Sequence, residues 1–329
     1  MKQEEILQKL LDENLITQEQ SDTVKQYRSL GIFSLHNELL FLLYLSVLLF
    51  TTGVGTLIYK NIDTIGHSII LAVLFLITTV CFYFSFKKSK GFSKEDVDFE
   101  NPVYNYLVLM GTILSCIFVG YLQFQYTIFG TDYSLTTLFS AIIGFCCAYY
   151  FNNKSALSIA ITGLAATIGI TITPKALLEN DIYNHPMLSY YGLALGILLI
   201  AWSYYSEKIG LKKHFGFVFL TFALHLISIC CIAGLLEYYW LIFVILMAAS
   251  TYYFYQISYK THAVSVFTFT LIYGYIGFNI FLYKLSSYID FNLFTELMII
   301  ITPFYIIASI ILFIKLIKQF NKHSHDRSK

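Results

Sequence analysis

His225 is the ionisable residue that lies deepest inside an apolar stretch of this sequence. It stands about ten residues from either end of the run 215–236, near the centre of a helix long enough to cross a bilayer. Thr221 and Ser228 share its helix face, four residues before it and three after it. Because ionisable groups are costly in lipid, this pattern indicates a proton relay or a ligand contact. The alternative is a neutral imidazole that is hydrogen-bonded to a neighbouring helix.

Uncharged polar residues in other apolar runs could line a cavity together with this histidine. The candidates for a neutral polar cavity are His225, Asn279, Tyr305, Thr162, Thr167 and Thr221. The two threonines Thr162 and Thr167 lie in a run of small residues, which lets helix backbones approach closely, so we expect that helix in the centre of the bundle. Each candidate could instead join two helices by a hydrogen bond without any ligand.

The sequence lacks the residue patterns of familiar catalytic and metal sites. It contains no Gly-x-x-x-x-Gly-Lys-Ser/Thr, no His-Glu-x-x-His and no Gly-x-Ser-x-Gly motif. The six cysteines lie in apolar runs without a Cys-x-x-Cys spacing. Glu38, Glu237 and Glu296 fall at the ends of such runs, so no carboxylate is buried for ion coupling. We therefore expect no metal and no cofactor, and these patterns give little support to an enzymatic activity.

Ten apolar runs must position these residues. Each has about 20 residues, enough to cross a hydrocarbon core of about 30 Å. The runs are 39–59, 67–86, 103–122, 135–151, 155–172, 188–205, 215–236, 239–257, 263–283 and 296–316. Only 12% of the residues are charged, about half the share in soluble proteins. The sequence thus predicts an all-α, polytopic transmembrane helical bundle of about ten spans.

The basic residues fall on one side of this predicted bundle. Of the 21 Lys and Arg residues, only Lys60, Lys175 and Lys284 lie in the loops of the other side. The positive-inside rule therefore predicts that both termini are cytoplasmic. We expect no nucleic acid partner, because no basic patch alternates with aromatic residues.

The residues before the first span are predicted to form a small soluble unit. Ile6, Leu7 and Leu10 follow a helical spacing, and Thr17 with Gln20 fits a capping box that would begin a second helix. We therefore divide the chain into three regions. These are a cytoplasmic helical hairpin (1–36), the transmembrane bundle (37–317) and a basic cytoplasmic tail (318–329).

The beginning of the chain resembles a known family. A short helix, the turn 15–20, a second helix and a first span with Gly53 and Gly55 resemble a bacterial family of predicted inner-membrane proteins with a domain of unknown function. The resemblance covers roughly residues 1–90. It implies a bacterial inner membrane, a cytoplasmic N-terminus and many spans, and it brings no catalytic residues.

Three functions remain open at this point. The first is a non-enzymatic carrier or binder that holds a small or lipid-like substrate in a neutral polar cavity. The second is a structural or signalling membrane protein whose N-terminal hairpin docks a cytoplasmic partner or a second copy of the chain. The third, an intramembrane enzyme, depends on His225 alone. The lipid bilayer is a partner in each case.

Overall fold

The computed structural model describes residues 17–18, 20–23, 36–172, 186–237, 239–288 and 292–327. Within these ranges lie ten α-helices that are long and apolar enough to cross a membrane, and no strand. They are α1 (His36–Ile65), α2 (His67–Lys88), α3 (Val103–Tyr126), α4 (Tyr133–Phe151), α5 (Lys154–Ile172), α6 (Pro186–Lys208), α7 (Gly216–Leu235), α8 (Trp240–Thr261), α9 (Val264–Tyr288) and α10 (Asn292–Arg327). A short 3-10 helix, Lys213–Phe215, precedes α7. The predicted all-α architecture with ten candidate spans is confirmed.

Helices α1 and α10 are longer than the sequence suggested. Between the first two apolar runs, the polar residues 60–66 predict a short turn, but residues 60–65 continue α1 and the helix ends before Gly66. Gly66 has a φ of 79°, a conformation that glycine adopts at little cost. Helix α10 contains Pro303 and continues to Arg327, so the described part of the predicted basic tail is helical.

Two hairpins of the bundle turn in the same way. Asn152 after α4 and His262 after α8 have left-handed backbones, with φ of 61° and 52°. In each case the next residue donates its N–H to the carbonyl five residues back, at 3.1 Å and 3.2 Å respectively. These bonds satisfy carbonyls that the helix end would leave unpaired. Helix α5 therefore returns along α4, and α9 returns along α8.

Helix α7 is the centre of the bundle. It packs against α5, α6, α8 and α9. In its membrane-crossing part 44% of the residues are buried, against 22% in α5. The prediction that α5 is central is therefore wrong, because its small side chains serve a close approach to one neighbour. A Cβ added at Gly144 of α4 would lie 3.1 Å from the Cα of Ala160 in α5.

The chain divides into two compact units at Gly53, inside α1. In the N-terminal unit, the Thr17 N–H donates to Gln20 Oε1 at 2.9 Å, and the Gln20 N–H donates to Thr17 Oγ1 at 3.3 Å. These reciprocal bonds confirm the predicted capping box. The rest of the predicted hairpin lies mostly outside the described residues.

The two ends of the larger unit differ in charge. We call the end that carries the loop 89–102 and the turns 152–153, 209–212 and 262–263 the basic end. Among the described residues, every Lys and Arg except Lys60 and Lys284 lies in the half of the bundle nearer this end. Lys60 and Lys284 lie toward the opposite end.

Candidate functional site

The predicted polar residues lie in three separate places. His225 of α7 contacts α9, where its Nδ1 lies 2.9 Å from the Tyr273 hydroxyl and its ring meets Phe269 edge-on at 4.7 Å. The Thr221 hydroxyl, one turn earlier, donates to the Phe217 carbonyl of its own helix. The contact of His225 is thus the helix-to-helix hydrogen bond that the sequence offered as an alternative.

Of the other four predicted residues, Thr167 and Tyr305 contact a neighbouring helix, whereas Thr162 and Asn279 bond carbonyls of their own helices. The Thr167 hydroxyl donates to Thr137 Oγ1 of α4 at 3.0 Å, and the Thr162 hydroxyl donates to a carbonyl of α5. Asn279 donates to the Tyr275 carbonyl at 2.7 Å, and the Tyr305 ring of α10 stacks on the Tyr275 ring. Asn279 and Tyr305 therefore both contact Tyr275. A polar cavity shared by all six candidate residues stays a prediction.

An apolar groove of about 610 Å³ runs between α8 and α9. We call it the α8/α9 groove. Its lining residues are Leu235, Val244, Met247, Ala248, Thr251, Tyr252, Tyr255, Thr270, Leu271, Gly274, Tyr275, Gly277, Phe278 and Phe281. Its only polar side-chain atoms are Thr and Tyr hydroxyls and the Met sulfur, and the Thr270 hydroxyl already donates to the Val266 carbonyl. The groove lies between two helices that are long and apolar enough to cross a membrane, and its lining is almost entirely apolar.

Glycines on one side of this hairpin explain the groove. Gly274 and Gly277 of α9 share a helix face and oppose Thr251 and Met247 of α8. A Cβ at either glycine would meet only the side chain across from it, whereas a Cβ at Gly144 would meet backbone. In α4/α5 small residues oppose small residues and the backbones touch. In α8/α9 small residues oppose larger ones, which hold the helices apart.

The groove has the length of one half of a bilayer core. Its lining on α9 extends from Thr270 to Phe281, a rise of about 17 Å at 1.5 Å per residue. Half of a hydrocarbon core is about 15 Å. Toward the basic end, Tyr255 meets Tyr259 and Phe267 at ring distances of 5.0 Å and 5.8 Å, and these rings close the groove.

A second apolar groove of about 430 Å³ lies among α4, α5, α6 and α7. Its lining residues are Phe145, Cys146, Tyr149, Leu164, Leu198, Leu199, Trp202 and Phe219. The Trp202 indole N–H donates to the Tyr149 hydroxyl at 2.8 Å across this surface. The bond fixes α6 against α4 near the basic end.

A buried lysine fastens the basic end. Lys212 is fully buried, its Nζ donates to Asn152 Oδ1, and it lies over the Phe92 ring at 5.0 Å. Asn152 also donates from Nδ2 to the carbonyls of Glu95 and Val97, at 2.9 Å and 3.1 Å. We call this arrangement of Lys212 and Asn152 with the loop 89–102 the loop latch. It joins three segments that are distant in sequence.

Electrostatics support the loop latch. The Asp96 carboxylate lies 3.4 Å from Lys154 Nζ and 3.5 Å from His214 Nε2. Burial lowers the pKa of Lys212 below its ordinary value of 10.5, and Asp96 acts in the opposite direction. Because Lys212 is buried against Asn152 and Asp96 pairs with Lys154 at the surface of the same loop, we assign these groups a structural role. Among the described residues, no three His, Cys, Asp or Glu side chains lie close enough together to hold a metal ion.

Both features escaped the sequence analysis. The groove depends on how two helices pair, and its one visible signal is a pair of glycines, Gly274 and Gly277, in a span whose partner has larger residues. Lys212 belongs to an ordinary basic turn, 210–213, and nothing in the sequence marks it as buried.

Comparison with known proteins finds a related family for the first half of the chain. No curated protein matches the chain. No solved structure matches the chain. A family model described as "Predicted membrane protein (DUF2157)" matches residues 8–157, which run from before α1 into the start of α5. The predicted resemblance to a membrane protein family of unknown function is thus confirmed over residues 8–157.

Proposed function

We propose that this protein is a non-enzymatic membrane protein that binds the acyl chain of a lipid in the α8/α9 groove. The observation that carries the proposal is the groove itself, an apolar space of about 610 Å³ between two membrane-crossing helices. Its volume falls within the range of ordinary ligand sites, about 300–1,000 Å³. Its length of about 17 Å suits a chain that spans one leaflet.

The chemistry of the groove favours reversible binding. Lipid tails are as apolar as the lining, so a chain that leaves the bilayer for the groove gains little from the hydrophobic effect. The gain comes from packing, because the flat face at Gly274 and Gly277 and the rings of Tyr252, Phe278 and Phe281 give a chain many contacts. Such a site exchanges its ligand, as a carrier or binder requires.

The charge distribution supports an orientation. Since nearly all described Lys and Arg residues lie toward the basic end, the positive-inside rule assigns that end to the cytoplasm. With α10 ending at the basic end, the C-terminus would be cytoplasmic. The family resemblance favours the bacterial inner membrane. A docking role for the N-terminal hairpin rests on residues that lie mostly outside the described ranges, and it stays a prediction.

Photo-crosslinking tests the proposal. The protein is reconstituted in lipid vesicles that contain a phospholipid with a diazirine in its acyl chain, irradiated and digested, and the labelled peptides are identified by mass spectrometry. We expect labelling of α8 and α9 residues that line the groove, above the level on α10, where 6% of the membrane-crossing residues are buried. Uniform labelling of all lipid-facing helices would refute the proposal.

Two neighbouring alanines of α8 provide a matched pair of variants. Ala248 and Ala249 are both exposed, but only Ala248 lines the groove. Ala248→Trp should fill the groove and reduce labelling of α9 to the level of α10. Ala249→Trp adds the same side chain toward lipid and should leave the labelling unchanged. Equal labelling in both variants would contradict the proposal.

A further inference from the structure

The two ends of the α8/α9 groove are built differently. Toward the basic end it stops at Tyr255, where the rings of Tyr259 and Phe267 close it. Toward the opposite end it reaches Phe281 and Leu235, and Leu235 is the last residue of α7. An amphiphile whose chain lies in the groove must therefore place its headgroup at the end where α7 finishes.

A lysine stands at this mouth. Lys284 follows Phe281 by three residues, so it lies about 4.5 Å further along α9 on a neighbouring part of the helix surface. Its Nζ donates to the Leu236 carbonyl at 3.0 Å, and Leu236 is the residue next to Leu235 of the lining. This bond holds the ammonium group beside the groove.

From this geometry we infer that Lys284 binds the phosphate of a phospholipid whose acyl chain occupies the α8/α9 groove. The inference rests on the proposed function. An ammonium group has three N–H donors and is a common ligand of phosphate oxygens. Among the described residues, Lys60 is the only other Lys or Arg toward this end, so Lys284 stands out as a point of positive charge.

The contribution of Lys284 is expected to be modest. Glu237 lies next to Leu236, so the mouth has little net positive charge. A lysine near a membrane surface strengthens binding of an anionic group by roughly fivefold. The contact between Lys284 and the phosphate would therefore favour phospholipids over lipids that have the same chains but no phosphate. The groove provides the contacts that all of these lipids share.

Competition in detergent micelles tests the inference. The diazirine phospholipid is displaced from α8 and α9 by phosphatidylglycerol or by diacylglycerol with identical chains, which lacks the phosphate. With the natural protein, phosphatidylglycerol should compete roughly fivefold better than diacylglycerol. Lys284→Gln should make the two competitors equal, and Lys284→Arg should keep the difference. Lys60→Gln, which removes a lysine toward the same end, should behave as the natural protein.

The outcomes separate the two proposals. If Lys284→Gln retains the natural preference for the phospholipid, the lysine does not bind phosphate and the inference is wrong. If phosphatidylglycerol and diacylglycerol compete equally against the natural protein, the inference is also wrong, while the groove still binds a chain. If neither lipid displaces the probe from the natural protein, the proposed function fails together with the inference.

Discussion

The loop latch allows a prediction that can be worked out from individual hydrogen bonds. Asn152→Gly keeps the left-handed backbone of the turn at no steric cost but removes the side-chain amide. The carbonyls of Glu95 and Val97 lose a donor, and the buried amine of Lys212 loses its acceptor. A lost hydrogen bond costs about 1 kcal/mol, and a buried group without a partner costs about 1–3 kcal/mol. Water can reach the exposed Glu95, so its carbonyl should add little to the cost. The Val97 carbonyl and the buried Lys212 together should then lower the free energy of unfolding by about 3 kcal/mol.

Two further variants separate the side chain from the backbone. Asn152→Ala should be about 1 kcal/mol worse than Asn152→Gly, because alanine resists a φ of 61°. His262→Gly makes the same change at the equivalent turn of the α8/α9 hairpin, where the side chain is exposed. Its effect on the free energy of unfolding should stay within about 1 kcal/mol, because relief of backbone strain offsets the added flexibility of glycine.

Tryptophan fluorescence can report the unfolding of these variants in detergent. Trp202 donates to Tyr149, and the Tyr149 ring meets Phe215 edge-on at 5.4 Å. Because Lys212 Nζ lies 5.9 Å from the Phe215 ring, these contacts connect the indole to the latch. Hydrogen exchange gives a second measurement, since the Lys212 N–H donates to the Lys94 carbonyl at 2.8 Å and should exchange faster in Asn152→Gly. If Asn152→Gly costs no more than His262→Gly, the latch contributes nothing and this reasoning is refuted.

Three other perturbations test the packing and the charges. Gly144→Val should cost about 1–3 kcal/mol of stability in thermal unfolding, because its Cβ would press on the backbone of α5, while Gly120→Val, with open space around it, should cost far less. The lowered pKa of Lys212 means that the unfolded state binds more protons in a window that ends near pH 10.5, so stability should rise with pH there, and Lys212→Met should remove that part of the slope. A double-mutant cycle of His225→Leu and Tyr273→Phe should give a coupling of about 0.6 kcal/mol in unfolding, and zero coupling would show that their contact is without energetic value.

The spans could be predicted because lipid imposes a simple rule on sequence. Backbone polar groups must be satisfied within each segment, so every crossing appears as one long apolar run. The rule fails where a helix leaves the apolar region, and segment 60–65 was therefore assigned to a turn although it continues α1. Hydropathy reports the solvent of a residue, whereas the length of a helix also depends on where a residue such as Gly66 ends it.

The candidate site could not be predicted because it depends on which helices and loops pack against each other. The small residues of α5 do bring it close to α4, as expected, but the depth of a helix depends on how its contacts are distributed. Helix α7 packs extensively against α6, α8 and α9, whereas α5 packs mainly against α4. The groove exists because Gly274 and Gly277 face larger residues of α8 rather than small ones. Lys212 is buried because a distant loop folds over it, and no local pattern encodes that contact.

Direct observation of the α8/α9 groove in a membrane would test the central claim. A structure determined in lipid nanodiscs should show an elongated, chain-shaped density along Gly274 and Gly277 that ends beside Lys284. A groove closed by the protein's own side chains, or one without ordered lipid while the bundle around it is well defined, would contradict the account.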